Sequence, residues 1–251
     1  MKVLIITAAG SAVRFNKGLS KHAVKSIYYR KDPLDTILFQ MFKKASGCSR
    51  IILVGGCGYR QLTAYFEKYL SAYADKTELV YNPHYEYYGS AYSLYLGINA
   101  AKKYAPDEVI FAEGDLFFSK TDFQKIVREK KDVFTVNRFP IEADKSVLVY
   151  ESVSGRTKFL FDTEHRELFI KEPFRSIHNS GQIWKFCSPE RLYDVNGKLS
   201  EAGKKGTNLE IVDKYFSEIS RDKISLVTLN TWINCNTVND YNLMLKLLKK
   251  A

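Results

Sequence analysis

The sequence predicts an α/β fold of the Rossmann-like kind: a doubly wound, mostly parallel mixed sheet with helices on both faces and a small antiparallel β extension. Three observations carry this. Apolar, β-branched runs at 3–8, 50–56 and 108–112 read as strands buried on both faces. Segments of helical period lie between them, beginning at Pro33, Tyr59 and Ser90. The first run empties at once into Ala8-Ala9-Gly10-Ser11-Ala12, small residues that leave room for close approach, and Arg14 follows. Backbone N–H groups in such a turn converge on an anion, and an arginine adds a forked positive charge, so phosphate is the expected guest.

The elements follow in order. Pro33 opens a helix with Leu34, Ile37, Leu38, Met41 and Phe42 on one face, ending near Gly47. A strand over 50–56, a helix over 59–71 and a strand over 78–81 come next, stopped by Asn82-Pro83. A helix over 90–104 leads to the strand at 108–112, which ends in Glu113-Gly114-Asp115. In an open α/β sheet the ligand site lies beyond the carboxyl ends of the strands, where both the first loop and Asp115 fall. After Phe118 the rhythm changes. A helix over 121–130 and a strand over 133–136 precede short runs at 146–150, 157–161 and 167–170, which read as an antiparallel meander, and a strand at 179–186. Gly- and Lys-rich residues 196–206 read as a mobile surface loop. A helix over 208–219, a strand over 224–229 and a helix over 238–248 finish the chain, with Thr237 and Asp240 spaced as a capping box. No repeat or linker interrupts the 251 residues, so a single domain over 1–251 is expected.

Composition bounds the function. With 45% hydrophobic and 26% charged residues the chain is globular, not disordered. No apolar run approaches the ~20 residues that cross a bilayer, and no signal-peptide pattern opens the chain, so a soluble, cytoplasmic protein without a membrane partner is expected. Cys48, Cys57, Cys187 and Cys235 are dispersed, as are His22, His84, His165 and His178, which disfavours zinc or histidine metal sites. The net charge of +10 is spread along the chain and interleaved with acids, which argues against nucleic acid; solvated lysine-rich faces explain most of the excess, and a polyphosphate substrate would also profit from a positive field.

Several motifs share one resemblance. The opening loop resembles the L-A-A-G-x-G-x-R signature of the nucleotidyltransferases with a GT-A-like fold, with Ala12 where the family has its second glycine. Glu113-Gly114-Asp115 is similar to the family's G-D pair that holds the catalytic metal, and Trp232-Ile233-Asn234-Cys235-Asn236-Thr237 resembles its closing motif. The resemblance implies Mg²⁺ held by Asp115 and Asn236, hard oxygen ligands of the kind Mg²⁺ prefers. The family's phosphate-touching lysine corresponds to Lys25 or, by another spacing, Lys21, with Lys25 preferred. Asn82-Pro83-His84-Tyr85 and Tyr92-Ser93-Leu94 are similar to the choline-phosphate cytidylyltransferase type, and Gly89-Ser90-Ala91 resembles the turn whose backbone reads the base. Lys171-Glu172-Pro173 and Asn179-Ser180-Gly181 resemble acceptor-contacting elements of sugar-phosphate relatives, so Glu172, Asn179 and Gly181 are the candidate acceptor residues. The implied activity is transfer of NMP, with CTP favoured, to a small phosphorylated or phosphonate acceptor with release of pyrophosphate, in surface glycan or lipid decoration. A sugar 1-phosphate acceptor and a catalytically silent nucleotide-binding module are the alternatives. The tyrosines at 85, 87, 88 and 92 allow either an aromatic cage for a cation or ordinary packing.

Overall fold

The computed structural model of the protein describes residues 1–17, 19–164 and 166–249, so His165 lies outside the described residues. The chain order is β1 (Lys2–Ala8), α1 (Val13–Asn16), α2 (Ile37–Lys44), β2 (Arg50–Gly55), α3 (Tyr59–Tyr69), β3 (Thr77–Tyr81), α4 (Ser90–Lys102), β4 (Glu108–Glu113), β5 (Leu116–Phe118), α5 (Lys120–Arg128) and β6 (Asp132–Asn137). It continues through β7 (Leu148–Ser152), β8 (Thr157–Leu160), β9 (Phe174–Phe186), α6 (Pro189–Gly197), α7 (Glu201–Lys205), α8 (Leu209–Ser217), β10 (Ile224–Thr228), β11 (Trp232–Asn234) and α9 (Val238–Leu248).

The main sheet runs β10-β6-β9-β4-β1-β2-β3, with β7 and β8 added along β9, and β11 pairs separately with β5. Strands β3, β2, β1 and β4 are parallel, β9 runs against both β4 and β6, and β10 is parallel to β6. Helices cover both faces, as the sequence predicts. One apolar cluster joins Leu4, Ile6, Ile51 and Leu53 to Phe42 of α2, Phe66 of α3, Phe123 of α5 and Met244 of α9. The other joins Val3, Ile5, Ile52 and Val54 to Leu94 of α4, Val195 of α6 and Phe216 of α8. Because side chains of a strand alternate between faces, the odd and even positions of one apolar run serve two cores.

Local chemistry sets the helix starts. Thr36 accepts from the Phe39 N–H, Ser119 from the Asp122 N–H, and Thr237 and Asp240 form the reciprocal capping box expected from their spacing. Each such cap is worth about 1 kcal/mol.

Two expectations are corrected. Residues 196–206 are not a loop: they contain the end of α6 and all of α7, whose Ser200 hydroxyl accepts from the Gly203 N–H. Ser188-Pro189-Glu190 is a helix-start signal, with proline in the first turn, that composition obscured. The run at 167–170 is not a strand, while β9 begins at Phe174, five residues before the strand read at 179–186. No helix of the described residues is long and apolar enough to cross a membrane.

Candidate active site

Strand β1 lies between β2 and β4, the point where the sheet order reverses, so the loops after β1 and β4 open onto one crevice. The two loops are bonded directly. The Gly114 N–H donates to the Thr7 carbonyl at 2.9 Å, and a Cβ on Gly114 would come within 2.6 Å of that oxygen, so only glycine lets β4 close on β1 here. Ala12 takes a left-handed conformation (φ 53°) to turn the chain into the single turn of α1. Asn16 at the end of that turn donates its amide to the Ala12 and Ala23 carbonyls, both at 3.1 Å, and accepts from the Ala23 N–H at 2.8 Å. That staple lays the segment carrying Lys25 beside the first loop.

The crevice has two lobes. The larger, about 340 Å³, is walled by Thr7 to Ala12, Lys25, Tyr85, Tyr88, Gly89, Ser90, Glu113 and Asp115. The smaller, about 170 Å³, is walled by Arg14, Lys145, Phe161, Gln182, Asn234 and Asn236 and shares Ser90, Glu113, Asp115 and Asn208 with the first. Charge concentrates where they meet. Lys25 Nζ lies 2.6 Å from Asp115 Oδ2, with both side chains less than a fifth exposed. Arg14 Nη2 donates to Asn236 Oδ1 at 3.1 Å. The Cys235 N–H donates to the Asp115 carbonyl at 2.9 Å and so brings the chain after β11 to the end of β4. Burial, then the Asp115 charge, pushes the Glu113 carboxyl up to about 7. Its oxygen accepts from Asn208 Nδ2 at 2.6 Å, while the Asn208 N–H is held by Ser90 Oγ at 3.0 Å.

Asp115 Oδ1 is buried and has no hydrogen-bond partner among the described residues. An orphaned carboxylate oxygen is costly unless something binds it. Asn236, one residue after the Cys235 whose N–H is bonded to the Asp115 carbonyl, borders the same lobe. No group of three or more His, Cys, Asp or Glu suited to a metal occurs among the described residues. Mg²⁺ nevertheless fits this set, since it takes one or two protein oxygens and completes its shell with water and phosphate.

The structure gathers Ala8 to Ala12, Arg14, Lys25, Gly89, Ser90, Asp115 and Asn236 around the crevice, whereas Lys21 is exposed and borders neither lobe. Other candidates stand elsewhere. Asn82 is buried under the turn after β3, its amide donating to Ser93 Oγ at 3.0 Å and its carbonyl accepting the His84 N–H. Ala91 is buried. The Gly89 and Ala91 N–H groups donate to the Lys204 and Gly206 carbonyls at 3.0 and 3.3 Å, so this turn is spent on holding the α7 segment. Asn179 donates to the Pro140 carbonyl, Gly181 lies against Thr135, and Glu172 bonds Lys158 at 2.5 Å and the Tyr150 hydroxyl at 3.0 Å. None of these three borders either lobe. Tyr88 packs tilted on Tyr92 at 4.6 Å and donates to Glu201 of α7, and Tyr92 stacks on Tyr95 at 5.6 Å, so ordinary packing accounts for Tyr88 and Tyr92, whereas Tyr87 is exposed and Tyr85 borders the larger lobe.

Sequence reasoning missed Glu113, Lys145, Gln182, Asn208 and Asn234. Glu113, two residues before Asp115 in a strand, carried the only usable signal, a carboxylate at the end of an otherwise apolar run.

Comparison with known proteins fits this architecture. No curated protein sequence matches the chain. The inositol-1-phosphate CTP transferase from T. maritima has a similar structure, with a TM-score of 0.70 and 17% identity over 98% of this chain and 96% of that one. The CTP:phosphocholine cytidylyltransferase from Streptococcus pneumoniae is similar with a TM-score of 0.65 and 16% identity over 98% and 99%. At these identities the likeness is one of fold. The sequence profile of the family described as a domain of unknown function, DUF6564, matches residues 21–248. The chain therefore belongs to the DUF6564 family, built on the α/β fold of the nucleotidyltransferases.

Proposed function

We propose that the protein is a Mg²⁺-dependent nucleotidyltransferase that moves NMP, with CTP as the favoured donor, to a small phosphorylated or phosphonate acceptor. The observation that carries the proposal is the meeting of the first loop, Lys25 and Asp115 at the junction of two lobes, one large enough for a nucleotide and one for a small acceptor. The CTP preference draws on the named activities of the two similar structures.

An acceptor phosphate or phosphonate oxygen attacks the α-phosphorus of the NTP in line. The bond from Pα to the bridging oxygen of the β-phosphate breaks, and that oxygen leaves with its electron pair as pyrophosphate. The protein's contribution is positioning and neutralisation of charge. The loop backbone from Ala8 to Ala12 and the Arg14 guanidinium hold the triphosphate, and Lys25 moves its contact from Asp115 to a phosphate oxygen. Asp115 and Asn236 would hold the Mg²⁺, which supplies further neutralisation of the phosphates when bound. Tyr85 and Ser90 face the base and ribose. No covalent enzyme intermediate is needed.

The test is a pyrophosphate-release screen of each NTP against choline phosphate, aminoethylphosphonate, glycerol phosphate and hexose 1-phosphates with Mg²⁺. Release above background with one pair supports the proposal. Nucleotide binding without release across the panel leaves a nucleotide-binding module in its place.

A further inference from the structure

Within the long strand β9, Gln182 has a left-handed backbone (φ 57°), a conformation that a side-chain-bearing residue enters at a cost and keeps only when its surroundings impose it. The surroundings do so here. The pairing of β9 with β6 shifts register between Phe134 and Val136, a bulge that re-aims a side chain. Four bonds fix the irregular backbone. Thr135 Oγ1 donates to the Ile183 carbonyl at 2.8 Å and accepts the Ile183 N–H at 3.1 Å, Ser180 Oγ accepts the Gln182 N–H at 3.1 Å, and Trp232 Nε1 donates to the Gly181 carbonyl at 2.8 Å. The result is a buried glutamine, 4% exposed, whose side chain borders the smaller lobe.

Its neighbour there is Asn234, which donates from Nδ2 to Gln182 Oε1 at 2.8 Å. Asn234 Oδ1 is buried and has no hydrogen-bond partner among the described residues. One bond between two carboxamides leaves an NH₂ group and a carbonyl oxygen unused, whichever way the amides are turned. The lobe thus offers one donor and one acceptor side by side, near the cationic groups of Arg14 and Lys145.

We infer that Gln182 and Asn234 form a recognition pair for a hydroxyl group on the acceptor, so that the acceptor is a hydroxylated phosphate of the polyol or sugar class and not an amino-alcohol phosphate. A hydroxyl both donates and accepts, which matches the pair, and Lys145, which borders the same lobe and is ion-paired with Glu142 at 2.7 Å, meets the acceptor phosphate. A trimethylammonium group has no donor for Asn234 and no acceptor for Gln182, and it would leave two buried polar groups dry. A site built to bond a hydroxyl rejects the analogue that lacks it far more strongly than an apolar pocket rejects an extra group. The inference rests on the transferase reading for the identity of the lobe, but its test does not need turnover.

The experiment is calorimetric binding to the full chain, with Mg²⁺ and the non-hydrolysable α,β-methylene analogue of CTP present. Glycerol 3-phosphate, glucose 1-phosphate and inositol 1-phosphate are set against propyl phosphate, choline phosphate and 2-aminoethylphosphonate. At least one hydroxylated ligand is expected to bind ten-fold or more tighter than every ligand of the second group. Gln182→Gly separates recognition from structure: it relieves the left-handed backbone, so the melting temperature rises while affinity for the hydroxylated ligand falls at least ten-fold. Tightest binding by propyl phosphate, choline phosphate or aminoethylphosphonate overturns the inference, as does a hydroxyl preference undiminished in Gln182→Gly, or failure of all three hydroxylated ligands to bind. Pyrophosphate release is read separately. Turnover with choline phosphate alone removes the hydroxyl inference and keeps nucleotidyl transfer, whereas Gln182-dependent binding without release from any NTP does the reverse.

Discussion

Lys25 Nζ and Asp115 Oδ2, 90 residues apart in sequence, stand 2.6 Å apart at the junction of the two lobes. Each neutralises the other. Under the proposed nucleotidyl transfer, both charges would gain new partners when polyphosphate and Mg²⁺ enter together. Asp115→Asn is therefore expected to lower pyrophosphate release by about 10²-fold or more, with unfolding stability within about 1 kcal/mol of the parent protein because the pair is partly solvated. Retained turnover with Mg²⁺ removes Asp115 from its role. Lys25→Met is expected to lower turnover to a similar degree, whereas Lys21→Met leaves it unchanged.

Ala12 keeps a left-handed backbone at the tip of the first loop. Glycine has no such penalty, so Ala12→Gly is expected to stabilise the protein by about 0.5–1 kcal/mol. The check is a urea unfolding midpoint. A destabilised variant would mean that the methyl contributes packing beyond its contact with the apolar cluster around Phe15.

Lys44 in α2 is buried, its ammonium 3.6 Å from the centre of the Phe117 ring and without a hydrogen-bond partner among the described residues. Burial, then the nearby Lys43 charge, pulls its pKa from 10.5 down to about 7. Between these values the unfolded chain holds a proton that the folded one has released, so this group makes stability rise with pH from about 7 towards 10.5. Relative to Lys44→Met, the parent protein is expected to gain about 2 kcal/mol between pH 7.5 and 9.5. The methionine variant is expected to be the more stable at pH 7.5. Parallel pH profiles for the two proteins would refute the assignment.

Gly89 lies against the α7 segment so closely that a Cβ would fall 1.9 Å from the Gly206 carbonyl oxygen. Gly89→Ala must displace that backbone, at an expected cost of about 1–3 kcal/mol. Faster amide hydrogen exchange over residues 199–207 would report the lost clamp. Unchanged exchange there would show that the turn yields instead.

Much of the architecture is legible without coordinates. Val3 to Ile6, Ile51 to Val54 and Val109 to Ala112 are apolar without interruption because their strands are covered on both faces, and that pattern predicts a parallel, doubly wound sheet. The small residues after β1, the glycine before Asp115 and the Thr237–Asp240 box are likewise local requirements written in consecutive residues. Composition misled at 196–206: three glycines and several lysines read as a loop, yet the Ser200 cap, the Tyr88–Glu201 bond and the Gly89 and Ala91 N–H groups hold a helix there.

The amino-acid sequence by itself determined most of the strands, most of the helices and the candidate phosphate loop, because burial on two faces, capping and tight turning act between near neighbours. Only the tertiary structure decided that Lys25, and not Lys21, reaches Asp115, that Gly89 clamps α7, and that a bulge in β9 aims Gln182 at Asn234. Those relations join residues about 50 to more than 100 positions apart through sheet register and a shift of that register, which leave no periodic trace along the chain.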